Sequence, residues 1–161
     1  MSTWAIVGIV AATFVFMEFV AWATHKYVMH GFLWSLHRDH HRKDHYGFLE
    51  YNDSFFLIFA IPSMVLFIVG SLKGLHTPWL WIGLGILLYG IAYFVVHEVF
   101  IHQRIKWLRT SRNVYFLGVR RAHKVHHKHL GKEDGECFGM LVVPFKYFRE
   151  ARESMRRQTA A

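Results

Sequence analysis

Hydrophobic residues fall into three long runs, separated by stretches rich in histidine and basic side chains. From Trp4 to Thr24 the chain reads WAIVGIVAATFVFMEFVAWAT, 21 residues with one charge, Glu18. Phe55 to Leu72 and Pro78 to Val96 are uncharged runs of 18 and 19 residues. A helix rises about 1.5 Å per residue, so each run is long enough to cross a hydrocarbon core of about 30 Å. Only Lys73, Gly74, Leu75, His76 and Thr77 lie between the second run and the third, which predicts a helical hairpin. Two further apolar runs, Asn113 to Val119 and Cys137 to Phe145, are too short to cross and are expected to be packed or interfacial. The fold this predicts is all-α: an integral membrane helical bundle with three transmembrane helices under a cytoplasmic histidine-rich cap. Residues 1–161 form one domain, with spans at about 4–24, 55–72 and 78–96.

Composition agrees with the pattern. At 53% hydrophobic the 161-residue chain is too apolar for a disordered or purely nucleic-acid-binding basic protein, so no nucleic acid partner is expected. One cysteine, Cys137, excludes a disulfide scaffold and any Cys-rich metal site. The formal charge of +8 is lopsided. Of 19 Lys and Arg, the hairpin turn holds only Lys73, while residues 25–54 hold four and residues 97–161 hold fourteen. The positive-inside rule then puts the basic segments and the C-terminus in the cytoplasm and the N-terminus outside. Ala21-Trp22-Ala23 resembles a signal-peptide cleavage site, but residues 1–4 carry no basic side chain and the apolar run is too long. The basic tail, 149–161, is expected on the membrane surface or in solvent, as a solvated and partly frayed helix.

Ten of the thirteen histidines form two copies of one pattern. His25 and His30, with four residues between them, precede His37, His40 and His41; His97 and His102 precede His123, His126 and His127. The histidine boxes thus occupy 25–41 and 97–127, and each copy begins where a span ends, at one membrane face. Residues at i, i+3 and i+4 lie within about 100° on one helix face, so three imidazoles there can share or flank a metal ion. Residues at i and i+5 are about 140° apart on a regular helix; either the helix is distorted or those two histidines reach different ions. First-row metals take four to six ligands, so ten imidazoles suit two ions with about five each. Imidazole binds iron, zinc, copper or nickel, and spacing alone does not name the metal. His45, His76 and His129 fall outside the pattern and read as ordinary polar residues.

Three acidic residues lie close enough in sequence to accept hydrogen bonds from ligand imidazoles or to be occasional ligands. Glu18 lies two helical turns before His25, Asp39 lies within the second box, and Glu98 adjoins His97. Phe32, Trp34, Phe48 and Tyr51 are candidates to line a substrate's way in, or to anchor the interface as aromatics commonly do. No catalytic residue beyond the metal ligands stands out. No Rossmann or P-loop glycine pattern is present, so electrons for redox chemistry would come from a partner protein. The basic face suits an acidic electron carrier or anionic membrane lipid.

Hx4H, HxxHH, Hx4H and HxxHH ordered around a membrane hairpin resemble the fatty acid hydroxylase and sterol desaturase superfamily. The stretches His25 to His41, Phe48 to Asp53 (FLEYND), Val96 to Arg104 (VHEVFIHQR) and Arg121 to Pro144 are most similar to its bacterial carotenoid branch, the β-carotene 3-hydroxylases. That resemblance implies two non-haem iron ions held by the ten histidines, O2 as co-substrate, and electrons from a ferredoxin or other reductase. It implies a lipophilic carotenoid substrate, with hydroxylation at carbon 3 of the β-ionone ring taking β-carotene through β-cryptoxanthin to zeaxanthin. It also implies residence in the bacterial cytoplasmic membrane. The alternatives are a related di-iron oxygenase acting on a fatty acyl chain, a sterol or another carotenoid, and a non-enzymatic metal-binding or transport protein. The last would line a path through the bilayer with histidines, whereas no box histidine lies inside an apolar run.

Overall fold

The three apolar runs set the frame of the molecule, seen here in a computed structural model that describes residues 1–42, 47–108 and 110–159. His45 lies outside the described residues. The first run is α1 (Thr3–Ala23), capped by the Ser2 hydroxyl, which accepts from the Ala5 N–H at 3.3 Å. A short cap helix, α2 (Trp34–Arg42), follows, then the hairpin of α3 (Leu57–Lys73) and α4 (Pro78–Phe94). Gly74 turns the hairpin at φ 93°, a conformation that glycine adopts without steric cost, and Pro78 opens α4. Helices α5 (Val114–His126) and α6 (Phe145–Thr159) complete the cap. No strand occurs among the described residues.

Helix α4 packs against both α1 and α3. Small residues allow the close crossings: a Cβ at Gly70 would come 2.5 Å from Leu80 N, and one at Gly85 would come 2.6 Å from Thr13 Cβ. Large apolar side chains such as Phe16, Phe19, Ile68, Leu72 and Ile91 point outward. So much exposed apolar surface suits lipid and not water. The molecule is a helical membrane protein, and among the described residues three helices are long and apolar enough to span, Thr3–Phe32, Tyr51–Lys73 and Pro78–Ile101.

These helices are longer than the apolar runs. A π-helical segment, Thr24–Phe32, continues α1, and a second, Val95–Ile101, continues α4. A 3-10 turn, Tyr51–Phe56, leads into α3. His25 and His97 therefore ride on the span helices themselves, immediately beyond the apolar runs, with His30 about one turn further on. Val96, Phe100 and Ile101 of the second π segment form a core with Val119 and Ala122 of α5 and with Met140, Val143 and Tyr147. Both short apolar runs are thus packed. The described part of the basic tail is helical and largely exposed. It belongs to α6, which begins at Phe145, buries Tyr147 and Ala151, and pairs Glu150 with Arg121 at 2.7 Å.

Candidate metal centre

The five-residue spacing of His25 and His30, and of His97 and His102, matches the hydrogen-bond step of the segments that hold them. In a π-helix the N–H bonds the carbonyl five residues back, so residues five apart lie on neighbouring turns and on nearly the same face. His102 N–H donates to His97 O at 2.9 Å, and the paired imidazole rings lie 5.3 Å apart for His25 and His30 and 4.6 Å apart for His97 and His102. The distortion open in the sequence is present at both copies.

The ten box histidines gather into two adjacent groups that cross the sequence copies. His25, His30, His37, His41 and His126 present ring nitrogens all within 4.8 Å of one another, and so do His40, His97, His102 and His123. His127 lies between the two groups, its ring 4.4 Å from that of His123 and 5.0 Å from that of His102 in the second and 4.4 Å from that of His41 in the first. The first and last histidines of each HxxHH box are four apart, about 40° on a helix, and point together; the middle one, about 60° away on the other side, points to the other group. His40 and His126 are those middle residues.

The outer nitrogens decide what the inner ones are. Nδ1 of His25 donates to Phe138 O at 3.1 Å, His30 to Lys132 O at 3.1 Å, His41 to His129 O at 3.0 Å and His126 to Glu136 O at 2.9 Å. His37 Nδ1 donates to Asn52 Oδ1 at 2.6 Å. A carbonyl only accepts, so each Nδ1 carries the hydrogen and each Nε2 of a neutral ring is a bare lone pair. Yet His25 and His37, His30 and His126, and His37 and His41 bring Nε2 atoms to 3.2 Å. Lone pairs facing at that distance repel unless a cation lies between them, and neighbouring nitrogens about 2.1 Å from a shared ion sit about 3 Å apart. In the second group Nδ1 of His40 donates to Glu50 at 2.7 Å and Nδ1 of His97 to Glu98 at 2.5 Å. His102 and His123 bring Nε2 atoms to 2.9 Å, while Nε2 of His40 and of His127 are buried without a hydrogen-bond partner. Both groups fit a metal ion.

Of the acidic candidates, Glu98 stands where it was expected, bonded to His97 and to Arg104 at 2.9 Å. Glu18 does not: it touches no histidine and accepts from three backbone N–H groups and the Tyr89 hydroxyl. Its place in the span puts it below the histidines, where a returning segment of chain needs an acceptor. Asp39 accepts from Tyr51 N–H at 2.5 Å instead of from a ring nitrogen, fixing the start of the 3-10 turn. That turn and the residues leading into it hold three groups not singled out from the sequence: Glu50 on His40, Asn52 on His37, and Asp53 on Arg104, which ties it to Glu98. The available signal was three polar residues within FLEYND, immediately before an uncharged span.

Burial, more than any neighbour, lowers the pKa of His37, His41 and His126 to about 3 each, and holds His40, His123 and His127 well below their ordinary value of 6.5. Neutral imidazole is the ligand form. Between about pH 3 and 6.5 the unfolded chain binds protons at these positions that the folded chain does not, so stability falls as pH falls through that window. The melting temperature of the metal-free protein in detergent is expected to be highest above pH 6.5 and to drop steadily toward pH 4. A flat profile would contradict neutral burial.

Beside both groups lies a predominantly apolar cavity of about 350 Å³. Its inner wall includes Asn52, Tyr93 and Glu98, which touch His37 and His97. Phe56 and Phe94, at the cap ends of α3 and α4, and Phe48 form its exposed rim. Phe48 is thus the one aromatic candidate of four on the cavity. Trp34 packs on His30, His37 and His41 instead, and Phe32 and Tyr51 point outward away from the cavity.

Residues 10–146 match the fatty acid hydroxylase family. The chain is 38% identical to a beta-carotene hydroxylase of Paracoccus sp. (strain PC1), over 84% of this chain and 83% of that protein. It is 40% identical to a beta-carotene hydroxylase of Pantoea ananas, over 84% of this chain and 76% of that one. A chloroplastic beta-carotene hydroxylase 1 of Capsicum annuum is 37% identical over 80% of this chain and 40% of its own length. No solved structure matches.

Proposed function

The chain belongs to the fatty acid hydroxylase family, and from that premise we propose that it hydroxylates carbon 3 of the β-ionone rings of β-carotene, giving β-cryptoxanthin and then zeaxanthin. It is a metal-using membrane oxygenase. The observation that carries the reading is the pair of buried histidine groups whose Nε2 atoms converge. We assign one non-haem iron to His25, His30, His37, His41 and His126, and a second to His40, His97, His102, His123 and His127.

In the overall reaction one atom of O2 enters the C–H bond and the other leaves as water, with two electrons and two protons. Iron so held supplies, with O2, the oxidising power for an unactivated C–H bond that acid–base side chains lack. The chain's own part is preorganisation. Backbone carbonyls and the Asn52 amide orient the first group's rings, while the Glu50 and Glu98 carboxylates orient His40 and His97 and raise their basicity. Arg104, bonded to Asp53 and Glu98, neutralises charge that the site does not use. Burial of the rings keeps bulk water from them.

Electrons come from a ferredoxin or other reductase docked on the basic face, and the histidine groups and C-terminus lie on the cytoplasmic side of the cytoplasmic membrane, the N-terminus outside. A β-carotene-producing host given this gene is expected to accumulate zeaxanthin, identified by chromatography. Unmodified β-carotene alone, from cells in which the protein carries its metal, would sink the assignment.

A further inference from the structure

We infer that the cavity beside the histidine groups is the binding pocket for one β-ionone ring, taken in tip first, and that Gly90 sets the room available to it. The inference rests on the carotenoid reading above. An apolar cavity of about 150 Å³ suffices for benzene. One of about 350 Å³ therefore admits a cyclohexene ring with its three methyl groups. Its charged and amide groups are already engaged, Asn52 with His37 and Asp53 and Glu98 with Arg104, which leaves the Thr24 and Tyr93 hydroxyls as the polar groups on an otherwise apolar lining. What they leave to a ligand is a predominantly carbon-lined wall, suited to a hydrocarbon.

Direction follows from the two ends. The exposed rim at Phe56 and Phe94 lies where α3 and α4 leave the apolar run, so a polyene attached to the ring trails into lipid. The inner wall at Asn52, Tyr93 and Glu98 touches one histidine of each group. In the β-ionone ring, carbon 3 stands across the ring from the carbon that bears the polyene. A ring entering tip first leads with carbon 3 and holds carbon 4 to the side, which accounts for position 3 as the site of oxidation.

Gly90 tests this. It lines the cavity from α4, and a Cβ there meets nothing within 4 Å, so an added side chain enters the empty space with no backbone in its way. Alanine or leucine also favours a helix over glycine. Gly90→Leu is expected to lower zeaxanthin formation by at least about tenfold, the scale on which a pocket rejects extra methylenes. Gly90→Ala should lie between it and the unaltered protein, and both should keep the unaltered protein's metal content. Undiminished product from Gly90→Leu, or loss of its metal, overturns the pocket. If the unaltered protein makes no hydroxylated carotenoid, the substrate reading has failed, and the pocket is tested alone through Gly90→Cys in a Cys137→Ser background. Its alkylation by a membrane-permeant maleimide should then be slowed by β-ionone; labelling at the same rate with and without β-ionone rejects the pocket.

Discussion

Replacing His40 by Ala is expected to abolish hydroxylation and to remove one metal ion, the one held with His97, His102 and His123; replacing His126 by Ala is expected to remove the other. Losing a hydrogen-bond partner of a ligand costs about 10–100-fold in affinity or activity, so losing the ligand should cost more than about 100-fold. The informative result is in the pairs. His40 and His37 are neighbours on α2 yet face different groups. His37→Ala with His40→Ala should therefore leave no tightly bound metal. His40→Ala with His97→Ala strikes one group twice, and metal per chain should be no lower than in His40→Ala alone. Metal analysis of purified protein reads both. A chain that retains one ion after losing His37 and His40 would show that each ion belongs to one half of the sequence.

That crossing marks a boundary of what the chain reveals unfolded. The three spans, the hairpin turn and the gathering of ten histidines at one end were legible because hydropathy and spacing are one-dimensional signals. The partition of those histidines was not, since adjacent residues such as His40 and His41 diverge by about 100° and only the placement of α2 against α5 decides which way each faces. The i, i+5 spacing carried a real clue, for it is the hydrogen-bond step of a π-helix, although a regular α-helix is the usual premise for reading spacing. Glu50 and Asn52 were visible as residues but not as partners, because their histidines lie ten and fifteen positions away in the chain. The acceptors of His25, His30, His41 and His126 were invisible in principle: they are main-chain carbonyls of residues 129–138, and any sequence supplies carbonyls.

Glu18→Ala is expected to cost the first group its metal while sparing the second. The Glu18 carboxylate accepts from the N–H groups of Met140, Leu141 and Val142 at 2.9, 3.0 and 2.9 Å, and from the Tyr89 hydroxyl at 2.7 Å. It thereby ties to α1 the chain that follows residues 129–138, the segment whose carbonyls orient four of the first group's five histidines. Each backbone N–H left buried without a partner costs about 1–3 kcal/mol, and lipid offers no replacement. Without Glu18 the segment must shift to find acceptors, carrying Glu136 O and Phe138 O away from His126 and His25. A fall of about 10–100-fold in metal affinity at the first group is then expected, the scale for loss of ligand orientation. The second group takes its orientation from the Glu50 and Glu98 side chains, which Glu18 does not touch, so its ion should stay. Glu18→Gln keeps the shape and, at the Oε1 position, the oxygen that accepts all three N–H groups, but sets an NH2 against the Tyr89 hydroxyl, and should fall between. Metal titration of the detergent-solubilised protein, read as one lost and one retained binding step, separates this from general unfolding, which would take both. Two undisturbed steps in Glu18→Ala would mean that the packing of Met140 and Val143 holds the segment without help from the span.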